Sequence, residues 1–262
     1  MTARVALTKM HGACNDFVIL DRRTARVDDV RSFARWACNR REGVGADGLI
    51  AIDPSNASDA TMRTFNADGS EAEMCGNGVR CAARWLDEAG AGDRLEFETA
   101  AGVVRTEVVA REPEYLVRVR LGTPHVELHP GEFFGDAVVV DIGNPHVVLF
   151  VDDVDAADLE ALAAGFQIAT AFPHGTNVHV ASVEAGGGLR LRHWERGVGL
   201  TMACGTGAVA CAAAAIRRNL VVSPVETRVP GGRLLVEWDG AGNAWLTGPA
   251  VRVFDTEVPV VR

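Results

Sequence analysis

The sequence predicts an α+β protein built from two pseudo-symmetric domains, each a mostly antiparallel β-sheet or barrel wrapped around one long central helix. Two observations lead to this fold class. Short apolar or alternating runs typical of strands follow one another with few helices between them, unlike the regular alternation of a βαβ protein. Similar short motifs also recur along the chain at one constant spacing.

That spacing is 129 residues (204 − 75), and it relates positions over most of the chain. Five pairs share it: Cys75 and Cys204, Asn15 and Asn144, Gly48 and Asn177, Asn66 and Glu195, and Gly102 and Gly231. Chance matching of glycine-rich words explains one or two coincidences, whereas a constant interval indicates duplication of one unit. The repeat is too long for a solenoid. We expect one domain over 1–121 with 250–262 and a second over 122–249.

In the first half, weak alternation predicts a strand at the N-terminus, and apolar residues at helical spacing after Asp28 and Asp29 predict a helix. A second helix should follow Cys75, after the turn at Asp68 and Gly69. The predicted strands are Val5–Lys9, Phe17–Leu20, Leu49–Ile52, Ala60–Asn66, Leu95–Thr99, Gly102–Ala110 and Tyr115–Arg120, and the first helix is Arg31–Arg40.

The second half repeats this plan, with a helix at Ala156–Ala164 and another after Cys204. Its predicted strands are Val138–Asp141, Val147–Val151, Val178–Val183, Leu189–Glu195, Glu226–Val229, Leu234–Trp238 and Ala244–Thr247.

Composition narrows the function classes. The chain has 262 residues, 48% of them hydrophobic, and a net charge of −9, which disfavours nucleic acid as a partner. No apolar stretch reaches transmembrane length, and the first residues lack the apolar core of a signal peptide. The six cysteines form no CxxC motif. We expect a cytoplasmic protein that binds no membrane, and no metal site.

The two most informative motifs are Cys75-Gly76-Asn77-Gly78 and Cys204-Gly205-Thr206-Gly207, each followed by an Ala-rich helical run. A cysteine at a helix N-terminus is expected to favour the thiolate, because the helix dipole stabilises negative charge there. The backbone N–H groups of Gly76, Asn77, Gly205 and Thr206 could hold an anion such as a carboxylate. Two matched thiols suggest an acid and a base that act on one substrate.

Lys9 is the sole lysine of the chain. A pyridoxal enzyme needs a Schiff-base lysine, so Lys9 is the single candidate for that role. We therefore expect amino-acid chemistry here to proceed without that cofactor, and no other cofactor is indicated.

Taken together, the motifs resemble those of the diaminopimelate epimerases, which are pyridoxal-independent isomerases. The resemblance covers the chain from end to end. It rests on Lys9-Met-His-Gly-Ala-Cys-Asn15-Asp-Phe-Val, Phe65-Asn-Ala-Asp-Gly-Ser-Glu, Cys75-Gly-Asn-Gly-Val-Arg-Cys, Gly143-Asn-Pro-His146, Thr176-Asn177-Val, Trp194-Glu-Arg-Gly-Val-Gly and Ala203-Cys-Gly-Thr-Gly-Ala.

This resemblance implies that LL- and meso-diaminopimelate are interconverted by a thiolate and a thiol, without a cofactor, on the route to lysine and peptidoglycan. It implies catalytic roles for Cys75, Cys204, His146 and Glu195. It assigns substrate binding to Asn15, Asn66, Asn144, Asn177, Glu195 and Arg196. A homodimer is also implied, although Phe254 stands where relatives carry Tyr at the dimer contact, and Gly48 replaces a frequent Gln.

Three other functions remain open at this point, one of them a non-catalytic binding protein, in which a second thiol would be superfluous. The chain could be a related racemase of proline, hydroxyproline or histidine, although Arg196 and the asparagines favour a substrate with a polar far end. A thiol redox protein using Cys75 and Cys204 is the second alternative, and the lack of a CxxC motif weighs against it.

Overall fold

The computed structural model describes residues 4–72, 74–128 and 135–260. Within these residues the protein is α+β, with four helices and strands that pair in both parallel and antiparallel directions. The chain divides into two compact units. Unit 1 consists of the chain up to Val119 together with the chain from Gly248 onward, and unit 2 is Arg120–Thr247. No helix in the described ranges is both long and apolar enough to cross a membrane.

The elements of the first half are β1 (Arg4–Gly12), β2 (Asn15–Asp21), α1 (Val30–Cys38), β3 (Gly48–Asp53), β4 (Ala60–Asn66), β5 (Glu71–Ala72), α2 (Gly76–Glu88), β6 (Arg94–Thr99), β7 (Gly102–Ala110) and β8 (Leu116–Arg120). The remaining elements are β9 (His125–Glu127), β10 (Val138–Asp141), β11 (Pro145–Phe150), α3 (Leu159–Gln167), β12 (Asn177–Val183), β13 (Leu189–Glu195), β14 (Gly199–Thr201), α4 (Gly205–Arg217), β15 (Val225–Val229), β16 (Gly232–Glu237), β17 (Trp245–Pro249) and β18 (Val251–Pro259).

In unit 1 the sheet mixes both strand directions. β1 lies antiparallel to β2 and to the C-terminal strand β18. β2 runs parallel to β3, with Phe17 opposite Gly48, and β3 is antiparallel to β4, with Gly48 opposite Asn66. β4 then pairs parallel with β6, which continues into the antiparallel strands β7 and β8.

Unit 2 has the same order of pairings. β11 runs parallel to β12, with His146 opposite Asn177, and β12 is antiparallel to β13, with Val178 opposite Trp194. β13 pairs parallel with β15, which continues into the antiparallel strands β16 and β17. The pairing of β11 with β12 therefore has the register of β2 with β3, displaced by 129 residues.

Helices α1 and α3 each begin at an aspartate. Asp29 accepts a hydrogen bond from the backbone N–H of Ser32, and Asp158 accepts one from Ala161. Helix α3 begins three residues after its predicted start at Ala156. It begins there because the side chain of Asp158 accepts a hydrogen bond from an N–H group that has no acceptor within the helix. Helix α1 ends at Cys38 rather than Arg40, since Asn39 adopts an extended conformation.

Helices α2 and α4 lie deep in their own units. α2 packs against β1, β2, β3, β4 and β7, and α4 packs against strands β9 to β13, β15 and β16. Almost every residue of α4 from Gly205 to Ala215 is buried, which a helix of alanines and glycines permits because its small side chains let strands approach on several sides. Each of these helices begins directly after a cysteine.

Candidate active site

In unit 1, Cys75 is the N-cap residue of α2 and has an extended backbone conformation. Its thiol donates a 3.6 Å hydrogen bond to the amide oxygen of Asn15. The same oxygen accepts a 3.2 Å hydrogen bond from the side chain of Asn77, and the Asn15 amide nitrogen donates to Asp47 at 2.9 Å. Three of the predicted site residues, together with Gly76, therefore meet at the start of α2.

One neighbour of Cys75 was not predicted from the sequence. Arg80 lies one turn into α2 and is fully buried. Its guanidinium donates to the side-chain oxygen of Asn77 (2.9 Å) and to the backbone oxygens of Pro249 (3.1 Å) and Gly76 (3.4 Å). Burial lowers the pKa of Arg80, whereas the nearby thiols of Cys81 and Cys75 raise it. An arginine within a Cys-Gly-Asn-Gly-Val-Arg motif was the available sequence indication.

Room for this arginine depends on Gly12. A β-carbon on Gly12 would lie 2.9 Å from the backbone oxygen of Asn77 and 3.0 Å from Nη2 of Arg80. The β1–β2 turn can therefore approach the first turn of α2 only without a side chain at this position. The turn also brings Asn15 to the thiol of Cys75.

Asn66 lies at the end of β4, and its amide nitrogen donates to the hydroxyl of Ser70 at 2.9 Å. In the β3–β4 pairing Asn66 lies opposite Gly48. A β-carbon on Gly48 would lie 2.8 Å from the backbone oxygen of Phe65 and 3.4 Å from the ring of Phe17. Gly48 can thus offer only its backbone to a ligand.

In unit 2, Cys204 is likewise the N-cap residue of α4, with an extended backbone and only 5% of its surface exposed. Its sulfur accepts a hydrogen bond from the backbone N–H of Gly207 at 3.3 Å and lies 3.6 Å from the hydroxyl of Thr206. The N–H of Gly207 at the helix start favours the thiolate, as expected, but other contributions are larger. Burial and the carboxylate of Glu195 raise the pKa of Cys204 well above its usual value and outweigh the contacts with Thr206 and Gly207.

Glu195, the last residue of β13, lies beside that thiol. Burial raises the pKa of its carboxyl group, and contacts with Thr201 and Cys204 lower it to a smaller extent. A carboxylate of raised pKa next to a thiol of raised pKa can exchange a proton with it. The structure therefore brings Glu195, Cys204, Gly205 and Thr206 together at the start of α4.

Asn144 and His146 lie at the start of β11. Nε2 of His146 is 2.9 Å from the amide oxygen of Asn144, and Nδ1 of His146 is 2.8 Å from Nε2 of His179. His146 is fully buried, and this burial lowers its pKa to about 3. The ring is therefore neutral and serves as a hydrogen-bonding partner of Asn144 rather than as a cation.

Asn177 is buried and links the start of β11 to the residue that follows β13. Its amide nitrogen donates to the backbone oxygen of Pro145 at 3.0 Å, and its amide oxygen accepts from the backbone N–H of Arg196 at 3.1 Å. Arg196 itself is exposed, with a 3.4 Å contact from its guanidinium to the backbone oxygen of His174. An exposed guanidinium is available to a carboxylate.

Lys9, the sole lysine, is buried and engaged in structural contacts. Its ammonium group donates to Asp16 at 2.5 Å and to the backbone oxygen of Gly45. The six cysteines form no disulfide with one another. The chemistry available at the two helix starts is thus that of thiols, one beside Asn15 and Arg80 and the other beside Glu195.

Comparison with known proteins identifies the family. The model of the diaminopimelate epimerase family matches residues 7–127 and 138–253. A diaminopimelate epimerase of Desulforudis audaxviator is 43% identical, with 95% of this chain and 97% of the relative covered. One of Sphingopyxis alaskensis is 42% identical over 95% of this chain and 96% of the relative.

Solved structures share the fold at lower identity. A phenazine biosynthesis protein of the PhzF family from Bacillus anthracis superposes with a TM-score of 0.78 at 18% identity, covering 98% of this chain and 99% of the other. A hydroxyproline epimerase from Agrobacterium vitis gives a TM-score of 0.71 at 17% identity, covering 99% and 94%. With a family model matched along most of its length and relatives above 40% identity, the chain belongs to the diaminopimelate epimerase family.

Proposed function

We propose that this protein is an isomerase that interconverts LL- and meso-diaminopimelate without a cofactor, on the route to lysine and peptidoglycan precursors. The observation that carries the proposal is the pair of cysteines, each at the N-terminus of a thirteen-residue helix and each beside a polar partner. Epimerisation removes a proton from the α-carbon and returns one to the opposite face, which requires a base and an acid.

The surroundings of the two thiols differ. The Cys75 thiol donates to Asn15 and lies near the buried cation of Arg80, which would stabilise the thiolate once the proton is lost. Cys204 is buried beside Glu195, and because both raise its pKa it holds its proton. In one direction, the Cys75 thiolate takes the α-proton, the electron pair remains on the α-carbon and carboxylate, and the Cys204 thiol gives its proton to the other face. The reverse reaction exchanges the roles.

The N–H groups in the first turn of an α-helix cannot be satisfied by the backbone of the helix itself. Gly76, Asn77, Gly205 and Thr206 supply these groups, and we propose that they bind the reacting carboxylate, on which charge grows as the proton leaves. Asn15, Asn66, Asn144 and Asn177 would bind the remaining polar groups of the substrate. Arg196 would bind a carboxylate at its far end.

Exchange of the α-proton with solvent tests the activity. We expect the protein in D2O to incorporate deuterium at the α-carbon of LL-diaminopimelate and to produce the meso form, with no exchange in proline, hydroxyproline or histidine. Cys75→Ser and Cys204→Ser should each lose turnover under full reduction. Exchange in proline but not in diaminopimelate would overturn the proposal, and retained turnover in either serine variant would overturn the two-thiol mechanism.

We further propose that the two units are pseudo-symmetric copies of one ancestral unit, each a barrel-like sheet around a central helix. Support comes from the helices. α1 and α3 each span nine residues and α2 and α4 each span thirteen, and both pairs are displaced by 129 residues. The domains would be 1–121 with 250–262 and 122–249. Separate expression of 122–249 should give a cooperatively folding domain, and a non-cooperative product would contradict its independence.

Assembly and location are proposals as well. Val253 and Phe254 on β18 are exposed apolar residues, with exposed fractions of 52% and 44%, and we propose that they contribute to a homodimer in the cytoplasm. Light scattering after gel filtration should give twice the chain mass. Phe254→Glu should halve it, and an unchanged mass in that variant would exclude this strand from the interface.

A further inference from the structure

Three histidines form a continuous buried chain in unit 2. Nδ1 of His146 lies 2.8 Å from Nε2 of His179, and Nδ1 of His179 lies 2.9 Å from Nδ1 of His193. All three rings are at most 1% exposed. One end of the chain contacts the amide oxygen of Asn144. At the other end, Nε2 of His193 is buried and has no hydrogen-bond partner among the described residues.

The three rings are neutral. Burial lowers the pKa of His146 and His193 to about 3 and that of His179 well below its usual value. A neutral imidazole has one N–H donor and one acceptor nitrogen, so each ring that donates at one end must accept at the other. The hydrogen bonds of the chain therefore all run in one direction or all in the opposite one.

The direction is coupled to Asn144. With the amide oxygen of Asn144 as acceptor, His146 and His179 carry their proton on Nε2 and His193 carries its proton on Nδ1. The unpartnered Nε2 of His193 is then an acceptor. In the opposite direction this nitrogen would be a buried N–H donor without a partner, which proteins tolerate less often. The same reversal would require Asn144 to present its NH2 group, rather than its oxygen, to Nε2 of His146.

The equivalent positions of unit 1 show that the fold does not require histidines here. Subtracting 129 from the three numbers gives Phe17, Ile50 and Thr64, all buried in unit 1. The helix glycine that packs on the middle residue is present in both units. A β-carbon on Gly78 would lie 3.0 Å from Cδ1 of Ile50, and one on Gly207 would lie 2.6 Å from Cε1 of His179.

We propose that His179 and His193 are positioning residues that, through His146, lock the amide of Asn144 with its oxygen inward and its NH2 group toward the substrate, as a donor to a carboxylate. This inference rests on the proposed function, in which Asn144 contacts the substrate. A fixed donor favours a carboxylate over an ammonium group at that point. An amide that is free to rotate would present its oxygen to the substrate part of the time, which would weaken the preference for a carboxylate.

Substitutions chosen to preserve packing provide a test. His179→Ile introduces the residue found at the equivalent position of unit 1, Ile50, and interrupts the histidine chain at its middle ring. His193→Asn keeps a donor near the position of Nδ1, and His193→Leu has the shape of that asparagine without the donor. We expect KM for LL-diaminopimelate to rise about ten-fold in His179→Ile and His193→Leu, with a smaller change in kcat, because a bond made in both ground and transition states is lost. In His193→Asn, KM should stay within about two-fold of the parent protein.

Nitrogen-15 NMR of the unliganded protein reads the tautomers directly and does not depend on turnover. We expect protonated Nε2 in His146 and His179 and protonated Nδ1 in His193. The reverse set of tautomers would overturn the proposal, as would equal KM in His193→Asn and His193→Leu. If the parent protein shows no α-proton exchange in diaminopimelate while the tautomers are as expected, the proposed function fails and the histidine chain stands.

Discussion

The sulfur of Cys204 and the imidazole of His179 both lie against the α-carbon of Gly207. A β-carbon there would be 2.6 Å from Cε1 of His179 and 3.1 Å from the sulfur. The third residue of α4 thus separates the thiol from the buried histidine chain. No side chain fits at this position without moving one of them.

Gly207→Ala should therefore be costly, although alanine favours helices. We expect a loss of about 1–3 kcal/mol in the free energy of unfolding, because overpacking displaces the surrounding groups. Turnover should fall as well, since the sulfur of Cys204 is one of the crowded atoms. Urea denaturation and initial rates provide the measurements.

The matched control is Gly165→Ala in α3, where a β-carbon would have no neighbour within 4 Å. This variant should gain about 0.5–1 kcal/mol in stability and keep its activity. If both glycine variants behave alike, crowding at Gly207 is not the cause.

The pKa of Cys204 should respond to Glu195. Glu195→Gln removes the carboxylate charge that raises this pKa, so the thiol should ionise at lower pH than in the parent protein. Turnover should nevertheless fall, because glutamine cannot exchange a proton with the thiol. Thiolate absorbance near 240 nm over a pH titration, taken as the difference from a Cys204→Ala protein, isolates this sulfur among the six. An unchanged titration would remove Glu195 as a neighbour that sets this pKa.

Arg80 is expected to act on both stability and reactivity. Arg80→Met leaves the oxygens of Asn77 and Pro249 without their donor in a buried site, and we expect a loss of about 3 kcal/mol in unfolding free energy. The Cys75 thiolate would lose its nearby cation, so alkylation by iodoacetamide at neutral pH should slow.

Arg80→Lys separates the two effects, because lysine keeps the charge but cannot replace the three donor contacts of the guanidinium. This variant should alkylate faster at Cys75 than Arg80→Met does. Equal alkylation rates in the two variants would show that the charge at position 80 has no influence on Cys75.

The buried histidines should make the protein sensitive to mild acid. Their pKa values are lowered in the folded state, so below pH 6.5 the unfolded chain binds protons that the folded one does not. Stability is then lost as the pH falls, by about 1.4 kcal/mol per pH unit for each such histidine. Burial also lowers the pKa of His11, which acts in the same direction, whereas the raised pKa of Glu195 opposes the trend.

Comparison with a variant isolates the contribution of the histidine chain to this loss of stability. His193→Thr introduces the residue of the equivalent unit 1 position, and the difference in unfolding free energy between pH 7.5 and pH 5.5 should shrink relative to the parent protein. Asp16, whose pKa is lowered despite burial by its contacts with Arg40 and Lys9, loses its contribution only at more acidic pH and does not interfere. An identical pH dependence in parent and variant would mean that His193 is not neutral in the folded state.

Local patterns in the sequence were sufficient to predict most of the helices and strands. Short apolar runs predicted the strands around Phe17 and Gly48, and the Ala-rich runs after Cys75 and Cys204 predicted α2 and α4, because both signals depend on residues a few positions apart. The short strands β5, β9 and β14 were not predicted, since a segment of two or three residues has too little pattern to read. β18 was missed because its alternation is weak, and its partner β1 lies at the other end of the chain.

The amino-acid sequence by itself determined the family, the pair of helix-capping cysteines and the 129-residue spacing between similar motifs, because each is carried by short motifs of chemically distinctive residues. Only the tertiary structure decided what surrounds each thiol. Burial and Glu195 raise the pKa of Cys204 against the helix dipole, and Arg80 lies buried near Cys75. The histidine chain emerged in the same way, since residues 146, 179 and 193 meet only when three strands pair and their shared environment excludes water.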